Sequence, residues 1–421
     1  MEASATSPAE PPASLPSDLE TRAGASDRRT AWILGVCCVA QLMVILDLSI
    51  VNVALPSIQD SLGFSSANLQ WVVDAYAITF AGFLMLGGRA ADNLSPRKVF
   101  VVALIAFSAT SLLGGAAQDQ VMLIVARALQ GLSCAFMAAC SLAIITSTFP
   151  PGPQLHRAIG LWAAMNGAGG AAGTLFGGII TEELSWRWIL LINPPIGIAA
   201  AIVAWRVVAE RQRARERREF DLAGAVTLTG GSMILVYGVV QAGLRGLSDP
   251  HALVPILAGA ALLAAFVLIE SRFAKQPLIP FKDLSRSLNN ANLIVLLFSA
   301  ALFPMWYLSS LYLQQVLGLP PLHAGLIFLP MALTIMVVAR QAGRLVSRFG
   351  VRAVLGSGLA LMATGMLLFT KIAASGSALV YVLIPGLVTA AGIGMSIVPS
   401  TIAATQGAKP NQAGLASGLV N

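Results

Sequence analysis

Five polar side chains stand inside long apolar runs of this sequence: Asp47, Asp74, Arg127, Gln130 and Asn166. An ionisable group near the centre of a membrane helix costs about 2.5–3.5 kcal/mol on insertion scales, so it persists where function or a partner offsets that cost. Asp47 falls near the middle of the first apolar run and Asp74 a short way into the second. A carboxylate so placed can take up and release a proton, and a proton and a cationic compound can compete for it. That competition is the minimal chemistry of exchange transport. For both acids the other reading is structural, a buried pair or a helix cap. Arg127, deep in the fourth run, either ties a nearby carboxylate to helix movement or anchors at an interface. Gln130 lies one turn on, on the same face, where it can share hydrogen bonds with Arg127. Asn166 is a candidate for lining a cavity.

Glycine supplies the next signal: Gly160, Gly169, Gly173, Thr174, Gly177 and Gly178 share one run. Glycine is costly in a soluble helix, whereas a glycine stripe lets membrane helices approach backbone to backbone. Gly88, Asp92, Arg97 and Lys98 follow the second run, and this loop is expected to act as a latch, the cations satisfying a negative helix end. Among the aromatic and Met residues, Met305 and Trp306 beside Pro304 are candidates for stacking on a flat cation. Cys37, Cys38, Cys134 and Cys140 sit in apolar surroundings without a CxxC pair, and His156, His251 and His323 are scattered singly. No metal site is expected. Gly167 to Ala172 matches a dinucleotide fingerprint only in letters, because no strand precedes it. No Walker A sequence and no nucleophile constellation occurs, so neither direct ATP use nor an enzyme is expected.

The elements that must hold these residues are membrane helices. The chain has 421 residues, 57% hydrophobic and 11% charged, against about 25% charged in soluble domains. Twelve stretches reach the roughly 20 apolar residues of a span: about 30–54, 69–88, 99–117, 120–147, 158–181, 189–208, 222–242, 251–270, 291–313, 322–342, 351–371 and 378–403. Residues 1–29, rich in Ala, Pro, Ser and acids, read as a disordered cytoplasmic tail. With the amino terminus in the cytoplasm, inner segments hold 22 Lys and Arg and outer ones 3. The positive-inside rule then puts both termini in the cytoplasm. The basic run from Arg206 to Arg218 reads as a solvated inner loop near anionic lipid, not as a nucleic-acid site. A glycine-and-basic cluster closes span two (Gly88 to Lys98) and recurs after span ten (Gly343 to Arg352). This internal repetition divides the chain into a six-helix bundle (30–208), a basic loop with two inserted helices (209–288) and a second bundle with four helices, apparently incomplete (289–421).

These motifs resemble the fourteen-span drug:proton antiporter family of the major facilitator superfamily. Leu46 to Pro56 is similar to its first-helix motif, Gly88 to Lys98 to its loop motif, and Arg127 to Gly131 to its buried-arginine motif. The glycine run of span five is similar to its antiporter signature, with Thr174 where that signature has proline, and Ser185 to Trp188 with Asn193-Pro194-Pro195 fits the approach to span six. In the family, Gly414 to Asn421 opens span thirteen, so the resemblance implies a chain cut short of two helices. It further implies an all-α fold of two bundles around a central cavity, with about 12 transmembrane helices here. The implied activity is proton-driven export of amphipathic or cationic drugs by alternating access in the bacterial inner membrane. No cofactor beyond the proton gradient is implied, and the partners are a small-molecule substrate, protons and lipid, the protein being a monomer. Two alternatives stay open: a proton-coupled carrier of one metabolite, and a truncated membrane protein without transport.

Overall fold

The computed structural model describes residues 17–150, 153–210, 222–273, 286–373 and 376–406. Within them the chain is helical and no strand occurs. Twelve long helices follow one another: α1 Ser17–Leu62, α2 Trp71–Asn93, α3 Pro96–Gly115, α4 Gln120–Thr148, α5 Pro153–Glu183, α6 Asn193–Val207, α7 Leu222–Arg245, α8 Pro250–Leu268, α9 Arg286–Leu311, α10 Pro321–Phe349, α11 Val351–Phe369 and α12 Ile384–Gln406. Ten helical segments are long and apolar enough to cross a membrane. Helices shorter in apolar length, such as α2, complete the bundle.

Helix α1 begins at Ser17, inside the stretch expected to be disordered. The reason is local: the prolines of that stretch end at Pro16, and Leu, Glu, Arg and Ala follow, which favour helix. The loop residues 211–221 and the terminal string Gly414 to Asn421 lie outside the described residues.

Among the first six helices α4 lies against α2, α3 and α1, while α1 lies along α5 and α3 along α6. Close approach is made possible by small residues. A Cβ on Gly131 of α4 would stand 2.2 Å from the Tyr76 carbonyl oxygen of α2, and Thr79 of α2 donates back to the Ala128 carbonyl at 2.8 Å. Helices α7 and α8 pack on each other, and α7 docks on α2, where Thr229 donates to the Gly82 carbonyl at 2.9 Å. Helices α9 to α12 form the second group, with α12 between α10 and α11.

The end of the bundle at which α1 starts is called here the near end, and the opposite one the far end. The two groups meet along α5 and α10 and are tied at the far end. Ser310 donates to the Asn52 carbonyl at 2.8 Å, Gln314 to the Val53 carbonyl at 3.0 Å and Gln315 to Gln59 Oε1 at 2.7 Å. The Leu322 N–H donates to Glu182 Oε2 at 3.1 Å.

Filling the α2–α4 contact is expected to cost about 1–3 kcal/mol, as overpacking does. Gly131→Ala should therefore lower the midpoint of thermal unfolding in detergent by several degrees. Gly160→Ala, whose Cβ would meet nothing within 4 Å, should leave it in place; equal melting of both variants would refute this packing.

Candidate functional site

Asp47 and Arg127 meet in the centre of the first bundle. Arg127 Nη1 donates to Asp47 Oδ2 at 2.5 Å, and the two side chains are 1% and 0% exposed. Two charges removed from water this far persist only when their remaining hydrogen-bonding groups are also met. Five helices contribute. Arg127 Nε donates to the Val72 carbonyl of α2 at 3.0 Å, and Nη1 also reaches Gln130 Oε1 at 3.1 Å. Asp47 Oδ1 accepts from Asn193 of α6 at 3.0 Å and from Gln130 at 3.3 Å. Ser111 of α3 accepts from Gln130 at 3.0 Å and Asn193 at 3.1 Å, and its own hydroxyl donates to the Leu190 carbonyl at 2.8 Å. The guanidinium lies over the Tyr76 ring, 4.4 Å from its centroid, a contact worth about 2 kcal/mol or more once desolvated. Tyr76 in turn donates to the Val44 carbonyl of α1 at 3.2 Å. Arg127 Nη2 and Asn193 Oδ1 are buried without a partner.

Of the residues singled out in the sequence, this network joins Asp47, Arg127 and Gln130. Asp74 is elsewhere, half-buried in the first turn of α2 at the far end. Asn166 accepts from Gln41 Nε2 at 2.8 Å, bridging α5 and α1. Ser111 and Asn193 were not assigned a role from sequence, and Tyr76 counted only among the aromatic residues able to stack on a flat cation or to pack helices. Asn193 carried a usable signal, an amide at the start of a span before two prolines; Ser111 is one hydroxyl among many in apolar runs.

The glycine run of α5 has two working edges. A Cβ on Gly169, Gly173 or Gly177 would press on α1, at Ile45, Ser49 and Ile50 respectively, whereas one on Gly178 would stand 2.7 Å from Leu322 Cα of α10. Ser49 donates to the Gly169 carbonyl at 3.0 Å. Thr174 is buried and its hydroxyl donates within its own helix, to the Gly170 carbonyl at 3.1 Å. Its carbonyl oxygen would be 2.4 Å from a Cβ on Gly325. Gly160 is exposed and touches neither helix.

At the near end Arg97 lies over the Trp205 ring at 4.0 Å and Lys98 pairs with Glu210 at 2.6 Å. Lys98 holds the Glu210 carboxyl below the usual carboxylate range. Both cations thus engage the end of α6 in their own bundle. Gly88 faces open space, and the Asp92 side chain lies outside the described ones. Met305 is buried, and Trp306 packs on Phe328 with ring centroids 4.8 Å apart. Among the described residues no group of His, Cys, Asp and Glu could hold a metal ion.

The family model described as "Major Facilitator Superfamily" matches residues 37–421. The chain belongs to the Major Facilitator Superfamily. It is 40% identical to the cephamycin export protein CmcT of Amycolatopsis lactamdurans, over 94% of this chain and 82% of that one. To the puromycin resistance protein pur8 of Streptomyces alboniger it is 36% identical, over 94% of this chain and 79% of the relative. The inward-open structure of the xylose transporter XylE from E. coli shares the fold, with TM-score 0.62 and 13% identity over 93% of this chain and 86% of that chain. This superfamily member is therefore a multi-pass membrane protein of a transporter family rather than an enzyme family.

Removing one partner of a buried ion pair leaves an uncompensated charge and costs about 3–5 kcal/mol. Arg127→Met should thus destabilise the detergent-solubilised protein more than the double variant Asp47→Leu/Arg127→Met. A double variant that melts below the single one would show that the pair is not the element at risk.

Proposed function

We propose that this chain is a proton-coupled antiporter of the fourteen-span branch, exporting amphipathic drugs or antibiotics, cationic ones included, across the bacterial inner membrane. The near end is then cytoplasmic, with both termini on that side, and the proton gradient is the sole energy source. Its partners are the cargo, protons and lipid, and it works as a monomer.

The observation that carries this reading is the Asp47–Arg127 pair within its five-helix network. A proton added to Asp47 cancels the charge that Arg127 faces, so protonation and the relative position of α1 and α4 are coupled by electrostatics. Partnerless Arg127 Nη2 and Asn193 Oδ1 give the network a donor and an acceptor with which to take up a second arrangement. Alternating access supplies what that arrangement would govern, a change in which end of the central space is open. Asp47 is committed to Arg127, which leaves Asp74 as the carboxylate a cationic cargo could meet. Export of antibiotic-type compounds is supported by the two relatives, whose names record cephamycin export and puromycin resistance.

The test is efflux from drug-sensitive cells expressing the chain, with ethidium and puromycin as cargo, with and without a protonophore. Efflux should require the gradient and fall to background in Asp47→Asn at matched membrane levels. Gradient-dependent efflux that survives Asp47→Asn would remove the pair from the coupling mechanism, and no efflux of either compound from well-inserted protein would sink the export reading.

A further inference from the structure

The seam between α5 and α10 opens toward the near end. A Cβ on Gly325 would stand 2.4 Å from the Thr174 oxygen, and one on Gly178 2.7 Å from Leu322 Cα. One on Gly167 would be 3.7 Å from Met336, and Gly160 and Gly343 would meet nothing within 4 Å. Past Met336, α10 lines a cavity of 270 Å³ with Val337, Arg340, Gln341 and Arg344. Arg340 lies about five helical turns beyond Leu322, so it continues the face that docks on α5.

Both arginines are exposed, and neither guanidinium forms an ion pair or hydrogen bond with a described residue. The described acids of the near end are committed elsewhere: Glu210 pairs with Lys98, and Glu270 is buried and engaged. The positive-inside rule explains the sign of charge at this end. It does not explain why two arginines and an amide of α10 share one cavity on the side of the helix that continues its contact with α5. A guanidinium presents a planar fork of donors that matches a carboxylate, and two forks one turn apart beside an amide can hold one acidic group from two sides.

We propose that Arg340, Gln341 and Arg344 bind the acidic group of an amphipathic cargo at the near mouth. Cargo carrying a carboxylate, zwitterions included, is thereby captured in preference to cargo without one. The inference rests on the export reading and adds to it the chemical class recognised on entry.

The experiment measures binding of carboxyfluorescein and of ethidium by fluorescence anisotropy. It uses the full chain in nanodiscs of phosphatidylcholine, without a proton gradient. Arg340→Gln and Arg344→Gln should each raise the Kd for carboxyfluorescein about tenfold, the usual loss for one hydrogen bond to a charged group. Arg344→Lys, which keeps the charge without the fork, should weaken binding less, and the Kd for ethidium should not move. An unchanged Kd for carboxyfluorescein in both glutamine variants, or an equal loss for both dyes, would overturn the proposal. A second arm adds phosphatidylglycerol to the discs. Retained binding of carboxyfluorescein supports a soluble cargo, whereas its loss would assign the arginines to lipid headgroups and overturn the proposal as well. Because binding is read without a gradient and with Asp47 intact, acid-selective binding beside failed efflux would count against the antiport reading alone.

Discussion

The Asp47–Arg127 pair is the constraint on which the first bundle is built. Two charges in a low-dielectric interior attract strongly, but taking them out of water costs several kcal/mol for each. The surplus has to come from geometry, and here it comes from several helices at once: a carbonyl from α2, a hydroxyl from α3, a glutamine from α4 and an amide from α6. Each of those atoms fixes the height and rotation of its helix relative to α1. Close packing elsewhere is then a consequence. The backbone approach of α2 to α4 at Gly131 brings the Val72 carbonyl and the Tyr76 ring within reach of Arg127.

Charge and small residues divide the work between the bundles. Within the first bundle, specificity is electrostatic and buried. Between the bundles it is steric where Gly178 and Gly325 let the backbones of α5 and α10 touch, and polar beside those contacts at the far end, where glutamine, serine and glutamate side chains reach backbone groups across the seam. No ion pair crosses from one bundle to the other among the described residues. A contact made of single hydrogen bonds, each worth about 0.5–1.5 kcal/mol net, is weak enough to be undone in a working cycle. The charged pair at the centre of the first bundle is held more firmly for as long as both partners carry their charge.

Hydropathy made the helices legible, because each span must satisfy its own backbone in lipid, and the twelve apolar runs correspond to twelve long helices. It marked ends poorly. Helix α1 extends at both ends beyond its apolar run, through Pro56 to Leu62, and at that end packing holds it, since Leu55 and Ile58 are buried in the core. Charge in an apolar run pointed to Asp47 and Arg127 separately, and Gln130 followed from helical spacing. That the two charges are partners was not readable, since their 80-residue separation is closed by tertiary packing. Ser111 was invisible for a related reason: a hydroxyl can satisfy itself on its own helix, as Ser108 does on the Leu104 carbonyl. The glycine run showed that α5 packs closely, but not that it has two different neighbours.

Those two neighbours make α5 a shared rod. It is one continuous helix from Pro153 to Glu183, with α1 along one edge and α10 along the other. Against α10 the seam is backbone on backbone at Gly178 and Gly325, and against α1 the side chains of Ile45, Ser49 and Ile50 sit in the glycine groove. Displacement at the far end, where Glu182 and Gly178 hold α10, has two outlets. Either α10 slips along α5, or α5 moves with it and slips along α1. The second outlet shifts the Gly169 carbonyl on Ser49, two residues from Asp47. One stiff helix thus bears both on the far-end contacts and on the stretch of α1 that carries Asp47, so the two places share a support although they share no side chain.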